Sequence, residues 1–189
     1  CATVPITGRK QLSIIPAGQL QSMSYGQYQE VIDTSELSRD AEATAMIKRV
    51  GARIQSAVER YMAEQGMSDH LDGYQWEFNL VESDQVNAWC MPGGKVAFYT
   101  GILPICQDEE GVAVVMGHEI AHAIADHGGE RMSQGLMTQL GGVALNAALA
   151  SKPEQTRQLA TGAFALGSQF GVSLPYSRKH ESEADHMGL

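Results

Sequence analysis

GHEIAHAIADH, residues 117–127, sets the reading of the whole chain. Its histidines His118 and His122 stand four apart, so on a helix they lie one above the other on a single face. That spacing suits two corners of a tetrahedral Zn2+ site. Glu119 lies beside the pair, where a carboxylate can take a proton from a metal-activated water. The positions behind it, Val112, Val115, Met116, Ile120 and Ala121, are apolar at helical spacing, and Asp108 is suited to cap the first turn. Burying two imidazoles and a carboxylate on such a helix is costly, and a metal ion offsets the cost.

A catalytic zinc takes three protein ligands and keeps one position for water. HESEAD, residues 180–185, offers the third. Glu181 and Asp185 share one helical face: Glu181 completes the coordination, and Asp185 accepts the second ring N–H of one histidine. Glu183 is the rival ligand, but it points to the opposite side and its i+4 neighbour is Met187, so no carboxylate would stand behind it. Each piece has an ordinary explanation too. A lone helical histidine is usually solvated or a core residue, and ESEAD also reads as a charged helix surface. Together the two motifs favour one zinc ion per chain.

Outward from these motifs, YQWEFNLVES (74–83) alternates Tyr74, Trp76, Phe78 and Leu80 with polar residues, which predicts a half-buried strand. QVNAWC (85–90), the turn MPGG (91–94) and KVAFYTG (95–101) predict two further strands, tightly joined. Residues 40–65 carry Met46, Val50, Ile54, Val58 and Tyr61 at helical spacing and stop at Gly66. Residues 19–32 are weakly helical, and helices are expected at about 130–150 and 154–170. A break at Pro175 precedes a last helical segment, 178–189. The fold class is α+β, mainly helical, with a small three- to four-stranded sheet beside the active-site helix. Residues 1–17, with Pro5, Gly8 and Pro16, read as an N-terminal tether, and 18–189 as one catalytic domain.

A formal net charge of −9, with no basic run, excludes a nucleic-acid partner. The longest apolar stretch, GLMTQLGGVALNAALA (135–150), is interrupted by Gln139 and Asn146 and predicts a buried amphipathic helix rather than a membrane span. Cys1 at the first position points to a lipid-modified cysteine, hence to a bacterial periplasmic lipoprotein held at the outer membrane by that anchor alone. An envelope location would also permit a Cys90–Cys106 disulfide.

Three stretches, NAWCMPGGKVAFYTGIL (87–103), HEIAHAIADHGGERMS (118–133) and SRKHESEADHMGL (177–189), resemble the gluzincin metallopeptidases that include HtpX and the CAAX prenyl proteases. The likeness is greatest to the soluble periplasmic lipoprotein branch of the LoiP and BepA type. The resemblance implies a zincin-like fold, His118, His122 and Glu181 as zinc ligands, Glu119 as catalytic base and Asp185 as the orienting carboxylate. It further implies that Asn87 and Ala88 receive a substrate backbone on an edge strand; the ordinary alternative for Asn87 is a strand-end turn former. His127 and Arg131 match the pattern past the active helix and are expected to stabilise its periphery. The implied activity is a zinc-dependent endopeptidase acting on unfolded or misassembled envelope proteins. Without membrane spans, prenylated substrates are not implied. Two other classes remain: a chaperone-like zinc module on a protease scaffold, and a latent protease whose fourth zinc position is filled by His127, His180 or His186.

Overall fold

The computed structural model describes residues 2–188. Cys1, the expected lipidation site, lies outside them. The segment expected as a tether instead folds back on the domain. Strand β1 (Ala2–Thr3) pairs antiparallel with β2 (Lys10–Gln11), and Val4 between them is buried. The Ile14 N–H donates to Ser133 Oγ at 3.1 Å. What draws the segment in is Arg9, whose guanidinium reaches two buried carboxylates described below.

Helix α1 (Ala17–Thr34) buries Leu20, Ser24 and Tyr28. Helix α2 (Ala41–Glu64) begins at Asp40, whose carboxylate accepts the Ala43 N–H at 2.9 Å, and buries Ile47, Val50 and Met62. Gly66, at φ +68°, turns the chain out of the helix, as glycine does without a Cβ to clash. Strands β3 (Glu77–Val81), β4 (Ala88–Met91) and β5 (Lys95–Tyr99) follow. They form one sheet in the order β3-β5-β4, with β5 parallel to β3 and antiparallel to β4. In the β4–β5 turn Gly93 and Gly94 have φ +95° and +83°. Phe78, Leu80, Val96 and Phe98 pack with Ile47 and Val50 of α2 and with Val112, Met116 and Ile120 to make the main core. Cys106 ends the one-turn helix α3 (Leu103–Cys106). Both Cys90 and Cys106 are free thiols, so the disulfide weighed for them is not formed.

Helix α4 (Glu109–Ile124) carries the central motif, and Asp108 caps it by accepting the Gly111 N–H at 2.9 Å. Asp126, in the left-handed region at φ 55°, caps α5 (His127–Ala148) through the Gly129 N–H at 3.2 Å. Next come α6 (Glu154–Ser168), a π-helical segment Gln169–Ser173 and α7 (Leu174–Gly188). The break expected at Pro175 is not a break. Proline follows directly on the π-helical turn Gln169–Ser173, whose wider pitch accommodates the ring and a residue that donates no N–H. No residue of α6 is buried.

Helix α7 packs along α4, and the two backbones touch where Gly117 meets Gly188. A methyl group on Gly117 would lie 2.8 Å from the Gly188 carbonyl oxygen. One on Gly188 would lie 2.9 Å from the Gly117 carbonyl carbon and the His118 nitrogen. Only two glycines allow this approach. Among the described residues no helix is long and apolar enough to cross a membrane.

Candidate metal centre

His118 and His122 project from α4 and Glu181 from α7, and one ligand atom from each lies within 4.8 Å of the others. The two Nε2 atoms are 3.0 Å apart. Glu181 straddles them, with Oε2 3.3 Å from the His118 Nε2 and Oε1 3.6 Å from the His122 Nε2. The carboxylate expected to complete the set is therefore in range, although its side chain is 55% exposed.

The far sides of the two rings decide what this cluster can bind. The His118 Nδ1 faces Asp185 Oδ1 at 2.8 Å, so Nδ1 carries the proton and donates it. On the other ring, the His122 Nδ1 is 2.8 Å from the His127 Nδ1, and the His127 Nε2 is 2.9 Å from Glu183 Oε2. Burial pushes the His127 imidazole down to about 4, so near neutrality it holds a single proton. That proton goes to the carboxylate, which leaves His127 Nδ1 as acceptor and His122 Nδ1 as donor. Both Nε2 atoms are then bare lone pairs, facing each other and a carboxylate. Three acceptors converge with no donor among them, an arrangement that fits a bound cation.

Asp185 thus stands where the sequence puts it. The larger part of the network is unexpected. Glu183 does point away from the metal face, but into a buried cluster rather than toward solvent. His127 and Glu130 on α5 cross with His180 and Glu183 on α7: His127 bonds Glu183, and the His180 Nε2 bonds Glu130 Oε2 at 2.8 Å. The rings of His127 and His180 stack at 4.2 Å. Two His-x-x-Glu pairs, HGGE and HESE, each with i,i+3 spacing, were the available signal. The three histidines weighed as blocking ligands are all turned elsewhere. His127 and His180 belong to this cluster, and His186 lines a groove with Tyr61 of α2 and Val114 of α4. Arg131 is exposed.

Glu119 lies on α4 beside the imidazoles. Burial raises its carboxyl, and Glu181 adds to the rise while His118 and Arg131 oppose it. A carboxylate so raised is the stronger base. Strand β4 packs along α4 and, among the described residues, has a hydrogen-bonded strand neighbour only on its β5 side. The Tyr99 N–H donates to the Asn87 carbonyl at 3.1 Å. Alternation along an antiparallel pair then turns the backbone groups of Ala88 and Cys90 toward the open edge. So Ala88 offers its backbone outward, while the Asn87 carbonyl is spent on β5 and its side chain is exposed.

A helix with HExxH, a carboxylate from a second helix and an edge strand alongside are the layout of a metallopeptidase site. The model of Peptidase family M48 matches residues 48–189, and the chain belongs to that family. It is 34% identical, over 98% of its length, to mitochondrial metalloendopeptidase OMA1 of Schizosaccharomyces pombe, of which it covers 50%. To the mitochondrial metalloendopeptidase OMA1 of Homo sapiens it is 29% identical over 98% of its length, covering 35% of that protein. To the beta-barrel assembly-enhancing protease of Escherichia coli it is 24% identical over 99%, covering 37%. The chain thus spans half or less of the length of these relatives.

Proposed function

We propose that the chain is the catalytic domain of an endopeptidase that cleaves polypeptides presented as an extended strand, with one Zn2+ held by His118, His122 and Glu181. The observation that carries this is the convergence of two bare Nε2 atoms and a carboxylate, each ring held from behind. A bound zinc supplies Lewis acidity, polarising the scissile carbonyl and making water a nucleophile near neutral pH. Glu119 takes the proton of the attacking water and delivers it to the departing amine. Asp185 and His127 keep the two rings from turning. The open edge of β4, through Ala88 with Asn87 beside it, pairs with the substrate backbone and aligns the bond to be cut.

Metal analysis and casein cleavage by the chain and its Glu119→Gln variant test this reading. The expected result is zinc in both proteins and cleavage in the first alone. Equal cleavage by the two would remove Glu119 from the chemistry, and a metal-free protein would remove the centre itself.

For the setting, we propose the bacterial envelope, with misassembled envelope proteins as substrates and Cys1 as a lipid-bearing anchor. The similarity to the Escherichia coli beta-barrel assembly-enhancing protease supports this, as it does a place in the LoiP and BepA branch. The higher identity to mitochondrial metalloendopeptidases favours a second reading, a mitochondrial one. Mass spectrometry of the mature N-terminus in its native host separates them: a diacylglyceryl cysteine fits the first and an unmodified residue the second.

A further inference from the structure

We propose that Arg9 is a positioning residue of the metal centre: through one guanidinium the N-terminal hairpin fixes the ring of His122 and the helix that carries Glu181. The inference rests on the zinc reading above. Arg9 Nε donates to Glu183 Oε2 at 2.8 Å, while Nη1 and Nη2 donate to the two oxygens of Glu130 at 3.1 and 2.7 Å. Thr7 of the same hairpin donates its hydroxyl to Glu183 Oε1, and the Leu12 N–H reaches Glu130 Oε1 at 3.4 Å. Side-chain exposure is 1% at Glu130 and 7% at Glu183. Two buried carboxylates therefore share one cation, supplied from more than a hundred residues away in sequence.

Two lines of contact run from that cation to the metal face. Along the first, Glu183 holds His127 and His127 holds the His122 Nδ1–H, which keeps the His122 Nε2 bare. Along the second, Glu130 on α5 bonds both Arg9 and His180, so α7 is tied to α5 within one turn of Glu181. Without the guanidinium, Glu130 and Glu183 lose the donor they share and are free to swing out of their present positions. Glu183 then no longer holds His127 in one orientation. His127, free to flip, lets His122 place its proton on the metal-facing nitrogen. Lysine does not restore the arrangement, because a point ammonium cannot fork across both carboxylates as the planar guanidinium does.

The test is zinc affinity by chelator competition, together with the visible spectrum of the cobalt-substituted protein, for the full chain and Arg9→Lys. The expected result is zinc binding weaker by about tenfold, the low end for groups behind a ligand, with a shifted cobalt band. Lys10→Ala serves as control: among the described residues its ammonium bonds the Thr3 hydroxyl, away from both carboxylates, and its loss should change neither quantity. A merely structural Arg9 would lower the unfolding midpoint while leaving affinity and cobalt spectrum of the folded protein unchanged, and that result overturns the proposal. Should Arg9→Lys fail to fold, Thr7→Val decides. It removes one bond to Glu183, and unchanged affinity and spectrum there are equally fatal. A wild-type chain that binds no zinc defeats the metal reading and this inference together, whereas wild-type binding with unperturbed variants defeats this inference alone.

Discussion

Replacing Asp185 by asparagine probes how much an exposed carboxylate contributes behind a metal-binding histidine. The substitution keeps an oxygen acceptor for the His118 Nδ1–H, now 2.8 Å away, and removes the charge. The Asp185 side chain is 69% exposed, so the surroundings are close to water. Two full unit charges at such a distance in water interact by roughly 1–2 kcal/mol. The imidazole of a bound histidine carries only part of a charge, so zinc affinity should fall by about three- to tenfold, at or below the low end for groups behind a ligand. The other histidine is held differently. His127 is fully buried, and His127→Ala would leave both the His122 Nδ1–H and Glu183 without their partner. There the expected loss is about a hundredfold. Chelator competition on both variants, at one pH and ionic strength, gives the two numbers. An Asp185→Asn loss as large as that of His127→Ala would refute the reasoning, because burial would then not set the strength of these supports.

Two other substitutions test the frame around the site. Burial pushes the Asp126 carboxyl up to about 6, so the folded state holds that proton more tightly than the unfolded chain, where aspartate titrates near about 3.9. This group therefore adds stability as pH falls through 6 and loses it as pH rises. The unfolding midpoint of the wild type minus that of Asp126→Asn should grow between pH 7 and 4.5; a flat difference would count against it. Gly117→Ala drives a methyl group to 2.8 Å from the Gly188 carbonyl, which should cost about 1–3 kcal/mol and weaken zinc binding by shifting α7. Gly128→Ala, with nothing within 4 Å, should be neutral or mildly stabilising in the same denaturation assay, and equal losses at both glycines would argue against the close helix crossing.

Much of the site was legible because its spacing is helical. His118, His122, Glu181 and Asp185 each obey the four-residue rule within their own helix, and the fold had only to bring the two helices together. The strands were legible from alternation, with β3 two or three residues shorter at each end than the apolar pattern suggested. The N-terminal segment was not. Pro5, Gly8 and Pro16 are the residues of a linker, and nothing local reveals that Arg9 will meet carboxylates at 130 and 183. What surrounds Glu183 was hidden for the same reason. Its orientation followed from the helix, but its burial depends on α5 and the hairpin, which no window around it contains. Pro175 misled in a different way: a proline marks a helix boundary only if the preceding turn keeps its ordinary pitch.

Helix α6 contributes nothing to the interior, yet the polypeptide must pass through it to reach α7. The third candidate ligand is thus carried at the far end of a continuous helical run whose first part is unburied. It is fastened near that end by the glycine crossing with α4 and by the clasp of buried charges. Lengthening or trimming the connection ahead of α6 should leave the geometry at Glu181 untouched, which makes residues 149–153 the stretch where the molecule can vary in shape while its chemistry stays fixed.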